Sequence, residues 1–534
     1  MKTTPFEMVF IIREMNMKVV SAKEAAALIQ NGNTLLIGGS SGIAVAESVL
    51  AALEKRFLET GMPQNLFAVS TGGLGDKDKR GMNHVAHEGM LSRTLCGHYG
   101  LQPSVARLAR ENKIEAYNFP QGVMAHLYGA IAAHKPGVLT DVGLNTYMDP
   151  RSEGGRMNEC TTRNMIEVLT IDGREWLLYK SFPIHVSLLR GTTADEDGNI
   201  TCEHEACALE SLSAAQAAHN SGGIVIVEVK RLAKRGTLDP RQVTIPSIVV
   251  DYVVVDSEPT MTWKTKFDPS FIGEVKKPVS QIVPLALNER KVIARRAAME
   301  LTAGAVVNLG SGISAGIPNV AVEEHIIDQV TITIESGVIG GMAGLELDFG
   351  TATNPAAMIP QPDMFNFYDG GGLDIAFLSF VELDQRGNIN VTKLSGQIEG
   401  PGGFMNISAN AKRMCFLGTF TAGGLRTSIG GGRMEILQEG KYRKFVETVS
   451  HLTWNADHAR SVEQKVLYIT ERAVFELTAE GVMLTEIAPG LDLERDILAL
   501  IPFRPQIAPE LKKMDKRIFC DQPMGLPGGE PAVV

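Results

Sequence analysis

The sequence predicts an α/β protein of two related halves, and three observations predict it. A unit of capped helix, short apolar strand and Gly-rich turn occurs near the N-terminus and again 272 positions later. An Asp-x-x-Gly-Asn-Ile turn between β-like runs occurs once in each half, at Asp195–Ile200 and Asp384–Ile389. Between them lies Asp256 to Pro284, a stretch marked by Pro259, Pro269, Pro278 and Pro284 of the kind that connects domains. A chain of 534 residues is also too long for one ordinary core.

The elements follow in order. Residues 1–16 hold a short apolar run, Met8 to Ile12, followed by Arg13 and Glu14; that is too short and too charged for a signal-peptide core, and regular structure is expected from Met17. Ser21 with Glu24 forms a capping box, Ala25, Leu28 and Ile29 share a helical face, and Gly32 ends the helix. Thr34 to Ile37 reads as a buried strand, Gly38-Gly39-Ser40-Ser41-Gly42 turns the chain, and a second helix runs through Leu53. In the second half Asn288 caps a helix through Leu301, Gly304 ends it, Ala305 to Leu309 is a strand, and Gly310-Ser311-Gly312 is the turn. Ala25, Ala26, Gly32 and Gly38 thereby fall on Ala297, Ala298, Gly304 and Gly310. Strands alternating with helices make both halves open α/β sheets. The expected domains are 17–257 and 287–521, with a linker at 258–286 and loose termini at 1–16 and 522–534.

Composition narrows the function. A net charge of −10 argues against a nucleic-acid partner. No apolar run reaches the roughly 18 residues that a membrane helix needs. Six scattered cysteines without a CxxC pair indicate neither a zinc ribbon nor a disulfide framework, and fit a reducing, cytoplasmic compartment.

Several motifs carry possible chemistry. Gly38 to Gly42 matches a serine-hydrolase elbow, but few strands are expected before it, whereas an elbow serine sits mid-sheet. Gly310-Ser311-Gly312 with Gly316 spaces its last glycine wrongly for a dinucleotide fingerprint; it reads equally as a phosphate cradle and as a tight turn. Cys202-Glu203-His204-Glu205-Ala206-Cys207 lacks zinc spacing and reads as solvated side chains near a hairpin, so no metal site is expected. The most informative segment is Val330 to Gly341: an alternating strand delivers Glu335 at its C-terminal end, and glycines follow at once. In open α/β sheets ligands bind outside such strand ends. A strand-end glutamate is ordinarily only a solvated side chain; glycine at 337, 340 and 341 suggests instead that something large approaches it. Gly400-Pro401-Gly402-Gly403-Phe404-Met405 is a second Gly-rich turn whose N–H groups suit an oxyanion, and Tyr368 to Asp374 is a third.

At these residues the sequence resembles the class I CoA-transferase family, and within it the single-chain acetate and propionate CoA-transferases. Glu335-x-Gly337-x-x-Gly340-Gly341 is similar to the motif holding that family's nucleophilic glutamate. Pro120-Gln121-Gly122 resembles the segment whose glutamine amide helps form an oxyanion hole, and Gly402-Gly403-Phe404 resembles the loop whose backbone N–H completes it. Phe367 to Asp374 and Tyr468 to Phe475 also match, and the likeness covers nearly all the chain after Met17. The family's N-terminal signature is met by Asn31-Gly32 through Gly38-Gly39, but Ser40 replaces its Phe and Ala44 and Ala46 stand at its Gly and Pro.

The resemblance implies two related α/β domains with the active site between them, which would bring together Gln121 and Glu335, 214 positions apart. It implies CoA exchange between a short-chain acyl-CoA and a carboxylic acid through a glutamyl-CoA thioester. Glu335 is then the nucleophile, Gln121 and the N–H of Gly403 or Phe404 form the oxyanion hole, and Gly310, Gly312, Gly337 and Gly402 contact CoA. No cofactor stays bound; CoA is substrate and covalent intermediate, and the enzyme is a homodimer or homotetramer. The alternatives are an acyl-CoA hydrolase on the same scaffold and a non-catalytic ligand sensor.

Overall fold

Each half is organised on a parallel sheet, and the two sheets repeat one strand order. A computed structural model describes residues 17–278 and 284–528. In the first half the order is Tyr252–Val255, Ile224–Ala233, Val186–Asp195, Thr34–Ile37, Leu66–Ser70. In the second it is Lys465–Ile469, Arg413–Leu417, Ile375–Ser379, Val306–Leu309, Thr331–Ile334. Every neighbouring pair in both series is parallel. The strands read as continuous apolar runs because helices and loops cover both faces: Leu35, Leu36 and Ile37 are wholly buried, as are Val225, Ile226 and Val227. The first sheet continues through Leu91–Cys96 and Glu115–Asn118, and the second through the antiparallel strands Ala473–Thr478 and Gly481–Ile487.

The duplication extends to single atoms. Gly32 and Gly304 both take a left-handed φ, +72° and +82°, in open space, so each glycine serves backbone geometry alone. Gly38 N–H donates to Leu188 O and Gly310 N–H to Phe377 O, both at 2.9 Å. The Asp195 carboxylate accepts from the N–H groups of Asp197 and Asn199 and from Asn199 Nδ2; Asp384 does the same for Arg386, Asn388 and Asn388 Nδ2. The capping residues also hold: Ser21 makes its capping box with Glu24, and Asn288 accepts from the N–H groups of Arg290 and Lys291.

Four expectations need correction. The helix from Asn288 is shorter than expected, Glu289–Ala298. Thr34–Ile37 lies mid-sheet, so position does not argue against the Gly38–Gly42 elbow. The connecting segment is packed where it is described: Met261, Thr262, Ser270 and Phe271 are buried, and Trp263 Nε1 donates to Ser41 O at 2.8 Å. The tail from Gln522 is docked as far as Leu526. The Met524 and Leu526 N–H groups donate to the Glu324 carboxylate, Arg295 donates to Gln522 O, and both apolar side chains are buried. Residues 1–16, also expected to be loose, lie outside the described residues.

The halves lock through the helix Gln121–Ala132 of the first, which packs on Gln361–Asp369 and Phe404–Asn410 of the second. Gly122 N–H donates to Asn406 Oδ1 at 3.0 Å, and Asn406 Nδ2 donates to Asp369 Oδ1 at 2.9 Å. A Cβ at Gly122 would lie 2.5 Å from Asn406 Nδ2 and 2.6 Å from Phe365 Cδ1. Both neighbours are wholly buried, so neither has room to yield. Gly122→Ala is therefore expected to lower the free energy of unfolding by about 1–3 kcal/mol, the range for overpacking, and with it the urea-unfolding midpoint. An unchanged midpoint would mean that the contact between the halves is loose.

Candidate functional site

The parallel register decides which residues meet. Val306 pairs with Thr331, Val307 with Ile332 and Asn308 with Thr333, so the turn at Gly310 and the side chain of Glu335 emerge at the same edge of the sheet. After Glu335 the chain reverses into Val338–Ile339, antiparallel to the strand it has just left. The glycines that follow answer to the chain itself. A Cβ at Gly337 would sit 1.9 Å from Ile359 O, one at Gly340 2.9 Å from Ala356 Cβ, and one at Gly341 2.4 Å from Thr353 O. All three have positive φ, +108°, +74° and +78°. The expectation that Gly337 clears room for a substrate gives way to a simpler cause, a tight reversal against the segment 353–359.

Gln121 reaches this place from the other half. Pro120 ends an extended stretch, and Gln121 is the first residue of its helix. Its N–H donates to Gly402 O at 2.9 Å, and the Gly402 N–H donates to Gly97 O at 2.8 Å. These bonds seat the 400–403 turn against the first half. A Cβ at Gly402 would lie 3.6 Å from Gln121 Oε1, and one at Gly403 only 2.6 Å from Glu335 Oε2 and 3.0 Å from its Cδ. Gln121, Gly402, Gly403 and Glu335 therefore form one cluster, as the sequence motifs suggested. The two candidate backbone donors differ: Phe404 N–H is spent on Pro401 O at 3.0 Å, whereas Gly403 N–H has no partner among the described residues. Gly310 packs on Leu378, whose Cδ2 would meet an added Cβ at 2.9 Å, and Gly312 is exposed near Ser379 Oγ. These two glycines share the sheet edge with Glu335 but not its immediate surroundings.

The electrostatics are those of a desolvated carboxylate. Glu335 makes no hydrogen bond or ion pair with any described residue, and burial pushes its carboxyl up to about 7. Gln121 is 2% exposed, and its Nε2 has no protein acceptor. A carboxylate without partners beside a buried amide donor and a free backbone N–H is a frame for nucleophilic attack on a carbonyl, with donors for the oxygen.

Three residues here escaped the motif reading. Ser40, weighed only as an elbow serine, lies beside Gln121: a Cβ at Gly72 would be 3.0 Å from Ser40 Oγ and 3.2 Å from Gln121 Oε1. His98 flanks the same loop, its Cδ2 3.9 Å from a Cβ at Gly402, and burial holds its imidazole down at about 4, hence neutral. Asn406 pins the halves together, as above. Single polar residues carry no pattern of spacing, so no signal marked them. No group of His, Cys, Asp and Glu among the described residues is arranged to hold a metal ion. Cys202 is half-buried and Cys207 buried, and desolvation pushes each thiol up to about 12.

The chain is similar to known proteins over nearly its whole length. The family model described as coenzyme A transferase matches residues 19–256. The acetate CoA-transferase YdiF of Escherichia coli (strain K12) is 44% identical over 509 residues, 95% of this chain and 96% of the relative. The caffeate CoA-transferase of Acetobacterium woodii is 43% identical over 517 residues, 95% and 98% of the two chains. The crystal structure of the YdiF apoenzyme from Escherichia coli O157:H7 matches with a TM-score of 0.92 and 42% identity, covering 96% of this chain and 98% of that one. A thioester complex of that enzyme with CoA matches equally well.

The Glu335 environment has a consequence for stability. Its folded pKa lies above the usual 4.5, so between about 4.5 and 7 the folded protein holds a proton that the unfolded chain has lost. This contribution to stability is lost as pH rises through that window and stays lost above it. Glu335→Gln is expected to raise the melting temperature relative to wild type at pH 8 and to do so far less at pH 4.5. Equal shifts at both pH values would mean that the carboxylate is solvated.

Proposed function

Because the chain belongs to the coenzyme A transferase family, we propose that Glu335 is the nucleophile of the CoA-transferase reaction that this enzyme performs. The observation that carries the reading is the contact of an unpartnered strand-end carboxylate with Gly403, beside the buried amide of Gln121.

Glu335 Oε attacks the thioester carbonyl carbon of an acyl-CoA. The oxygen of that carbonyl gains charge and is met by Gln121 Nε2 and Gly403 N–H, donors that are already in place. The C–S bond breaks, CoA leaves as thiolate, and an acyl-glutamyl anhydride remains. The thiolate then attacks Glu335 Cδ; the free carboxylate departs and Glu335 carries CoA as a thioester. An incoming carboxylate reverses the steps and takes the CoA away. Thioester energy is conserved throughout, and CoA is both substrate and covalent intermediate, with no cofactor retained.

The physical problem is that a carboxylate is a weak nucleophile. Desolvation at Glu335 removes the water that would blunt it, and contacts to the CoA tail hold the carbonyl in reach. We assign such contacts to the turn Gly310-Ser311-Gly312 and to Gly402; their position at the edge where Glu335 emerges supports the assignment. The acids are read as short-chain carboxylates of the acetate, propionate and butyrate type, after the acetate relative. Two relatives of nearly equal identity are named for acetate and for caffeate, so acid choice rests on a few pocket residues rather than on overall similarity. We read the enzyme as a cytoplasmic homodimer or homotetramer on the family resemblance, in keeping with six unpaired cysteines.

Glu335→Gln is expected to abolish acetyl-CoA:propionate exchange while leaving the circular-dichroism spectrum unchanged; near-normal turnover would remove Glu335 from the mechanism. Gln121→Ala is expected to lower kcat by about 10²–10³ with little change in KM, the loss typical of one oxyanion donor. A raised KM at unchanged kcat would make Gln121 a binding residue. In wild type, kcat/KM for acyl-CoA is expected to rise about tenfold per pH unit below 7 and to level off above it, because only the ionised carboxylate attacks. Consumption of acetyl-CoA without an acceptor acid at the same rate would instead identify a hydrolase.

A further inference from the structure

The internal duplication repeats the frame of the site as well as the sheets. Leu35 pairs with Ala68 as Val307 pairs with Ile332, so Thr71 stands three residues on in the first half where Glu335 stands in the second. Two helices begin with glutamine after an extended proline: Pro120 has φ −56° and ψ 138°, and Pro360 has φ −56° and ψ 144°. Gln121 N–H donates to Gly402 O at 2.9 Å, and Gln361 N–H donates to Leu209 O at 3.2 Å. Gly402 has φ +55°, and Leu209 has φ +52°, a conformation that a branched side chain seldom adopts. Each is followed by a helix start, at Phe404 and at Ser211. Thr71, Gln361 and Glu210 thus correspond to Glu335, Gln121 and Gly403.

The correspondence has one exchange in it. In the catalytic frame a strand-end carboxylate lies against a glycine at the helix start. In the companion frame the carboxylate, Glu210, belongs to the helix start, and the strand end carries Thr71, whose hydroxyl donates to Glu210 Oε1 at 2.6 Å and meets the Tyr128 hydroxyl at 3.1 Å. Gln361 is wholly buried and Glu210 is 3% exposed, yet three of their atoms have no protein partner: Glu210 Oε2, Gln361 Oε1 and Gln361 Nε2. The same holds for Gln121 Nε2, the donor assigned above to the substrate oxygen. Native interiors leave few polar atoms unpaired, because each such atom has given up its hydrogen bonds to water without replacement.

We propose that this companion frame is a second, non-catalytic binding site, whose ligand is a small uncharged molecule that both donates and accepts hydrogen bonds, water being the smallest. Such a guest joins Glu210 of the first half to Gln361 of the second. An uncharged guest fits because burial keeps Glu210 up at about 7 and no cation among the described residues offsets it. The inference does not depend on the role of Glu335.

Two crystals of the full chain test it, one grown free of small acids and one soaked in acetic acid at a pH well below 7. The expected result is ordered density bonded to both Glu210 and Gln361, as water in the first crystal. Acetic acid in its place in the second would identify protonated small acids as the occupant. Glu210 and Gln361 satisfied by protein groups alone, with no guest density in either crystal, would overturn the proposal. In solution, Gln361→Met and Glu210→Gln are compared singly and together by thermal unfolding. A shared guest predicts that the double variant loses little more melting temperature than the worse single one, whereas fully additive losses would contradict it.

Discussion

The site depends on one hydrogen bond between the halves, from the Gln121 N–H to the Gly402 carbonyl. It holds the start of a helix from the first half against a loop of the second, and that loop abuts the carboxylate of Glu335. Together with the Gly402 N–H bond to Gly97 O it gives the amide and the carboxylate a common reference, although 214 positions of chain separate them. The packing around it is unforgiving for that reason. Gly122 admits no side chain against Asn406 and Phe365, and Gly403 admits none against Glu335. Glycine in these places is demanded by the side chains packed against it.

Desolvation follows from the same contact. A carboxylate largely enclosed by a closely docked partner half, with no counter-ion among the described residues, is poorly hydrated, and its pKa rises. The penalty is borne by the folded protein, and it is what makes the group reactive once ionised. Water that reached Glu335 freely would stabilise the carboxylate and would also hydrolyse the anhydride and thioester it forms. The preorganised donors at Gln121 and Gly403 complete the arrangement, because they lower the barrier only where charge develops.

Much of this was legible in the sequence. Capping residues, Gly32 with Gly304, and the two Asp-x-x-Gly-Asn-Ile turns showed the duplication, since each depends on local backbone geometry that particular residues enforce. Glu335 was legible because its strand and glycines are contiguous. What was not legible depends on contacts between distant segments. The central place of Thr34–Ile37 follows from strands that come later in the chain. The docking of Met524 and Leu526 follows from Glu324, about two hundred positions away. The reason for Gly337 was misread for the same cause: the atom that excludes a side chain there is Ile359 O, which no local pattern reveals. Thr71, Glu210 and Gln361 became visible only when the strand registers aligned the halves.

The central claim is that Glu335 becomes covalently attached to CoA. The most direct measurement is intact-protein mass spectrometry after mixing the enzyme with acetyl-CoA and no acceptor acid, followed by peptide mapping. The account predicts a CoA-sized adduct on the peptide that carries Glu335, discharged by added propionate. An adduct on another residue, or transfer that proceeds with no adduct on the Glu335 peptide, would contradict it.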